Sequence, residues 1–137
     1  MTKPVVLIVE SEALIRISAV HMVEDAGFSS VDVGNADGAI EILENRRDVR
    51  AVFTDINMSG SIDGLKLTHA IRGRWPPIHL IVTSGLNMAD KLPANGRFIL
   101  KPYSAEQVAT ALSELFSSHP APRRLFNEPG GNCAKVA

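Results

Sequence analysis

Residues 5–12 read VVLIVESE: five apolar residues, four of them β-branched, run unbroken into an acid, a serine and a second acid. A strand with one wet face alternates apolar and polar residues. An unbroken apolar run suits a strand covered on both faces, the usual condition of a parallel sheet. That reading decides the fold, because parallel neighbours need a crossover between them, and the chain supplies one. In ALIRISAVHMVEDAG, residues 13–27, Ile15, Ala19, Met22, Val23 and Ala26 fall on one helical stripe, and Gly27 is placed to end it.

The same unit recurs. FSSVDV (28–33) reads as a weaker strand, and Asn35 can cap a helix carrying Ala36, Ala39, Ile40 and Leu43 at helical spacing. RAVFT (50–54) is a strand, followed by a helix over 64–73 with Leu67, Ala70 and Ile71 inward. IHLIVTS (78–84) is a strand opened by Pro76-Pro77, and RFIL (97–100) is a short fifth one. Ser104 and Gln107 have capping-box spacing ahead of Val108, Ala111, Leu112 and Leu115. This alternation predicts an α/β fold, a doubly wound five-stranded parallel sheet with helices on both faces. One crossover is short: between VTSG and RFIL lies LNMADKLPAN (86–95), where Pro93 and Gly96 hold any helix to about two turns. A shortened or irregular fourth helix is expected there.

The chain of 137 residues suits one domain, taken as 1–117. From 118 onward prolines, paired glycines and no periodicity predict a flexible C-terminal tail, 118–137, in which Leu125-Phe126 is a pair that could dock on a partner or back onto the domain. A net charge of −1 gives no electrostatic reason to expect nucleic acid or an anionic membrane, and Arg46-Arg47, Arg72-Gly73-Arg74 and Arg123-Arg124 read as solvated surface. Cys133 is alone, which excludes an internal disulfide framework. His21, His69, His79 and His119 show no ligand spacing. The absence of a signal-like or bilayer-length apolar run favours a cytoplasmic protein.

Open parallel sheets build their sites at the carboxyl ends of the strands. Those ends carry Glu10-Ser11, Asp55, Thr83-Ser84-Gly85 and Lys101-Pro102. Each alone has a plain structural reading as a turn or cap. Together they offer acids, a hydroxyl and an ammonium, a set that suits phosphoryl chemistry on a carboxylate. An aspartate attacks phosphorus, a divalent cation offsets the charge repulsion, and a lysine and hydroxyl hold the transferred oxygens.

The stretches VLIVESE, DINMSGSIDGL, IVTSG and FILKPY, each in its place in the alternation, resemble the receiver domain of two-component response regulators over about residues 4–117. The resemblance implies a flavodoxin-like strand order 2-1-3-4-5 and a stand-alone signalling phosphoacceptor rather than an enzyme. It implies that Asp55 takes a phosphoryl group from a sensor histidine kinase or phosphotransfer protein. Lys101, joined to Pro102 by a cis bond, would pair with that group, Ser84 would swing to bond it, and Phe98 would move inward as the switch aromatic. Glu10, Asp55 and the backbone carbonyl of Asn57 would hold Mg²⁺.

The departures from the family pattern are equally specific. Ser11 stands where a second, metal-binding acid is usual, so weakened Mg²⁺ binding and slower phosphorylation are expected. Ser59 replaces a common proline, SGSIDG is one residue longer than the commonest form, and Gly60 and Gly64 read as a mobile loop beside the site. An alternative keeps the fold and drops the chemistry: a pseudo-receiver that binds partners without phosphorylation. A phosphohydrolase with an aspartyl intermediate would place its nucleophile after the first strand, where this chain has Glu10-Ser11. Nothing after that strand matches a nucleotide-binding glycine loop.

Overall fold

The computed structural model describes residues 3–56 and 63–117. The tail expected over 118–137, and Asn57, Ser59 and Gly60, read from the sequence as part of a loop beside the site, lie outside the described residues. Within them the chain runs β1 (Val5–Val9), α1 (Ala13–Asp25), β2 (Ser29–Val33), α2 (Ala36–Asn45), β3 (Val49–Asp55), α3 (Gly64–Arg74) and β4 (His79–Ser84), then a single 3-10 turn (Ala89–Lys91), β5 (Gly96–Leu100) and α4 (Ala105–Ser117). The described strands form one five-stranded sheet in the order β2-β1-β3-β4-β5 with every pairing parallel.

The apolar run of β1 divides between two cores, which is why it does not alternate with polar residues. Val6 and Ile8 join Ala51, Phe53, Ile81 and Ile99 beneath α1 and α4, where Ala19, Val23, Val108 and Leu112 cover them. Leu7 and Val9 face the other way, joining Val52 and Leu80 against Ala39, Leu43, Leu67 and Ile71 of α2 and α3. A residue's parity along its strand therefore determines which helices it meets.

Local signals set the helix ends. At the close of α1, Gly27 has φ +101, Phe28 N–H donates to the Val23 carbonyl and Gly27 N–H to that of Glu24, a Schellman ending. Asn35 Oδ1 accepts from Gly38 N–H at 2.8 Å to open α2. Ser104 and Gln107 exchange reciprocal bonds of 2.8 and 3.1 Å ahead of α4. Asp63 caps α3 by accepting from Lys66 N–H at 2.9 Å.

The short fourth link is resolved as the sequence anticipates, with the 3-10 turn in place of a helix. It is anchored from α3. Arg72 Nε donates to the Ala94 carbonyl at 3.0 Å, and His69 Nε2 lies 3.1 Å from that of Lys91. Asn95 takes a left-handed φ of 65 before β5, a conformation asparagine tolerates better than most residues.

Gly64 does not belong to a mobile loop. It is buried as the first residue of α3, where its N–H donates to the Ile56 carbonyl at 2.9 Å. A Cβ there would meet Ile56 Cα at 2.6 Å and Ile56 O at 2.8 Å, with the Asp55 carbonyl closer still. Glycine is needed because helix and strand backbones touch directly behind the acid.

Candidate functional site

Parity carries three side chains to one place. Glu10 follows Ile8, Asp55 follows Phe53 and Lys101 follows Ile99, each two residues on from a member of the core beneath α1 and α4. They accordingly leave the sheet's carboxyl edge on the same face. Asp55 is 5% exposed and Glu10 3%. Lys101 Nζ donates to Asp55 Oδ2 at 2.9 Å and to Glu10 Oε1 at 3.3 Å. Burial of a carboxylate is costly unless it is paired, and the shared ammonium supplies that pairing.

The supports of this triad are specific. Glu10 Oε2 accepts from Glu12 N–H at 3.1 Å, and Arg16 Nη1 donates to the Glu10 carbonyl at 2.8 Å while its Nε bonds Asp32 at 3.1 Å. Thr54 Oγ1 donates to the Asp55 carbonyl at 3.0 Å. The Lys101 N–H donates to the Ser84 carbonyl at 2.8 Å, and the Lys101–Pro102 bond is cis. Tyr103 then packs its ring 5.4 Å from that of Phe53, flooring the site.

Burial works against the charged form of Lys101, but the hydrogen bond and charge of Asp55, with Glu10 behind it, outweigh that and raise its pKa. The pKa of Tyr103 is also raised, first by its own burial and then by the Glu10 carboxylate.

The remaining residues singled out from the sequence are placed differently. Ser84 has the opposite parity, following Leu80 and Val82, and its Oγ accepts from Leu86 N–H at 3.1 Å. Phe98, half-buried, pairs in register with Val82 and so shares that face with Ser84. Ser11 is exposed, and Asn57 lies outside the described residues. Arg16, Tyr103 and Thr83 were not singled out as individual site residues. Of these, Thr83 was open to discovery, since it stands two residues beyond Ile81 and therefore on the face of Asp55.

The fold and site define a doubly wound parallel α/β protein with an aspartate, a second acid and a lysine joined at the carboxyl edge of its sheet. The model of the response regulator receiver domain matches residues 6–113, and the chain belongs to that family. It is 32% identical over 116 residues to the sensor kinase CckA of Brucella abortus (strain 2308), covering 80% of this chain and 12% of that protein. To the nitrogen assimilation regulatory protein NtrX of Azorhizobium caulinodans it is 33% identical over 109 residues, 75% of this chain and 24% of that one. The chain thus spans a minor part of these curated relatives. Among solved structures, a response regulator receiver protein from Sinorhizobium medicae WSM419 superposes with a TM-score of 0.77 at 26% identity, covering 82% of this chain and 94% of that one. NtrX from Brucella abortus superposes at 0.73 and 26%, covering 84% and 27%. Among the described residues, no helix is long and apolar enough to cross a membrane.

Proposed function

We propose that Asp55 accepts a phosphoryl group from the phosphohistidine of a sensor kinase or phosphotransfer protein in the cytoplasm, and that the chain signals by the change of shape that follows. The observation that carries this reading is the 2.9 Å bond from Lys101 to the buried Asp55 carboxylate, with Glu10 beside it. One Asp55 oxygen attacks phosphorus as the phosphorus–nitrogen bond breaks. The electron pair remains on the imidazole nitrogen, which takes up a proton. Lys101 is positioned to follow the added charge onto a phosphoryl oxygen.

The donor chemistry fits a largely hydrated Mg²⁺, since such ions use one or two carboxylates and keep several waters. Glu10 and Asp55 would hold it, with the Asn57 carbonyl as the resemblance implies. When bound, it offsets the charge of the phosphoryl oxygens. Ser11 offers only a neutral oxygen, so the site carries one charge fewer than a site with two acids after β1.

Ser84 and Phe98 form the switch in this reading. The hydroxyl would leave the Leu86 amide for a phosphoryl oxygen, and Phe98 would fill the space behind it. The donor would approach over α1. There Leu14 is 83% exposed and Ile17 51% exposed, and an apolar groove lined by Leu14, Ile15, Met22, Pro102 and Tyr103 opens beside Lys101.

The test is intact-mass analysis after incubation with a small acyl-phosphate donor, with and without Mg²⁺, on the wild type and Asp55→Asn. A Mg²⁺-dependent gain of one phosphoryl group that Asp55→Asn lacks supports the reading. No gain at high Mg²⁺ with the fold intact leaves the phosphorylation-independent binding module, a reading that the exposed, neutral Ser11 favours.

A further inference from the structure

One buried hydroxyl stands beside the triad without a partner. Thr83 is 2% exposed, and its Oγ1 is the described buried side-chain polar atom that no hydrogen bond satisfies. Threonine hydroxyls in a strand commonly bond a nearby backbone group, as Thr54 Oγ1 does with the Asp55 carbonyl one strand away. Leaving such a group dry and unpaired is costly, so its retention points to a partner in another state of the site.

The register says which partner. Asp55 pairs with Thr83 across β3 and β4, and Thr83 with Ile99 across β4 and β5. Glu10, Asp55 and Thr83 thus form a row on the face beneath α1 and α4. Lys101 leaves the end of β5 on that face and bonds Asp55 on β3, two strand spacings or roughly 10 Å away. Its side chain therefore reaches back across β4, the strand from which Thr83 projects.

We propose that Thr83 is a positioning residue for the phosphorylated state, its hydroxyl donating to the Asp55 oxygen that does not carry phosphorus. The inference rests on the phosphoacceptor reading above. Once Lys101 moves to a phosphoryl oxygen, that Asp55 oxygen loses the ammonium and becomes the carbonyl of an acyl phosphate. The neighbouring row position makes Thr83 the donor to replace it. In hydrolysis a water oxygen bonds phosphorus, the bond from phosphorus to the Asp55 oxygen breaks, and the electron pair returns to Asp55 as carboxylate charge. The water's proton passes to solvent. Charge grows on the oxygen that Thr83 bonds, so the hydroxyl stabilises the transition state more than the acyl phosphate and shortens the signal.

The test compares wild type, Thr83→Val and Thr83→Ser. Each is loaded with a small acyl-phosphate donor and Mg²⁺, freed of donor, and followed by intact mass over time, with melting curves of the unloaded proteins alongside. The phosphoryl group on Thr83→Val should last about three- to tenfold longer, the range that one hydrogen bond to a developing charge supplies. Thr83→Ser should restore the wild-type lifetime. Unloaded Thr83→Val should melt at or above the wild-type temperature, because it removes a hydroxyl that has no partner. Equal or shorter lifetimes in Thr83→Val overturn the inference while leaving the phosphoacceptor reading intact. A lower melting temperature for the valine variant overturns it too, by showing the hydroxyl engaged in the resting state. A wild type that takes no phosphoryl group overturns both.

Discussion

Gly64→Ala should be among the most damaging single-methyl additions to this protein, although helix propensity alone gives it the opposite sign. Replacing a helical glycine by alanine ordinarily stabilises by roughly 0.5–1 kcal/mol. At Gly64 the new methyl would lie 2.6 Å from Ile56 Cα and 2.8 Å from Ile56 O, where relaxed carbon contacts need about 3.5–4.0 Å. The obstructing atoms are the backbone that closes β3, so no rotamer change relieves the clash. α3 must retreat by about 1 Å, and the bond from Gly64 N–H to the Ile56 carbonyl stretches with it. Overpacking costs about 1–3 kcal/mol and a weakened buried hydrogen bond about 1–3 kcal/mol more, so after the helix-propensity gain the net loss is roughly 1–5 kcal/mol. At about 3–6 °C per kcal/mol for a domain of this size, melting should fall by roughly 3–30 °C. Thermal unfolding followed by circular dichroism measures this directly. Gly73→Ala in the same helix is the matched control. Nothing lies within 4 Å of its added Cβ, so it should be neutral or gain up to about 1 kcal/mol. A Gly64→Ala protein as stable as Gly73→Ala would refute the contact between helix and strand.

Restoring the missing acid with Ser11→Asp should tighten Mg²⁺ binding by about tenfold or more, measured by calorimetric titration, since ligand charge count sets affinity for hard cations. Unchanged affinity would mean that Ser11 is not the position limiting the site. The raised pKa of Lys101 means that its ion pairs stabilise the fold below the ordinary lysine range, about pH 10.4, and that this contribution is lost as pH rises through the folded pKa. Melting curves of the wild type and Lys101→Met should therefore converge as pH climbs beyond that range, and parallel curves would refute the pairing. Tyr103 is the chain's one tyrosine, so absorbance near 295 nm titrates it alone. Its midpoint should lie above about pH 10, and Glu10→Gln should move it down by removing a nearby negative charge. A midpoint indifferent to Glu10 would place the two groups apart. Ser104→Ala should cost about 1 kcal/mol, seen as a fall of a few degrees in melting, by opening the capping box of α4.

The readings that held from the sequence concern signals acting over a few residues. Gly27, Asn35 and the Ser104–Gln107 pair end or open helices through bonds to backbone groups at most five residues away, so composition and spacing suffice to find them. The unbroken VVLIV run shows that both faces of its strand are covered, because each side chain reports its own need for burial. Pro93 and Gly96 likewise announce that no full helix forms before β5. Carboxyl-edge acids and the lysine were visible for the same reason: each closes an apolar run.

The rest depended on which residues meet across the sheet. Gly64 looked like a loop glycine because its reason, the backbone of Ile56 against its Cα, comes from another element. The short link over 86–96 is held by His69 and Arg72 of α3, partners that no local pattern names. That Lys101 reaches Asp55 and Glu10, 46 and 91 residues away along the chain, follows only from the strand order and the register. Thr83 and Ser84 are adjacent and nearly alike in chemistry. A strand turns successive side chains to opposite faces, so the first joins the row of Asp55 and the second joins Phe98. The sequence by itself determined the elements and their ends, because those obey neighbours in the chain. Tertiary structure alone decided which of these side chains touch, because burial and pairing depend on neighbours in space.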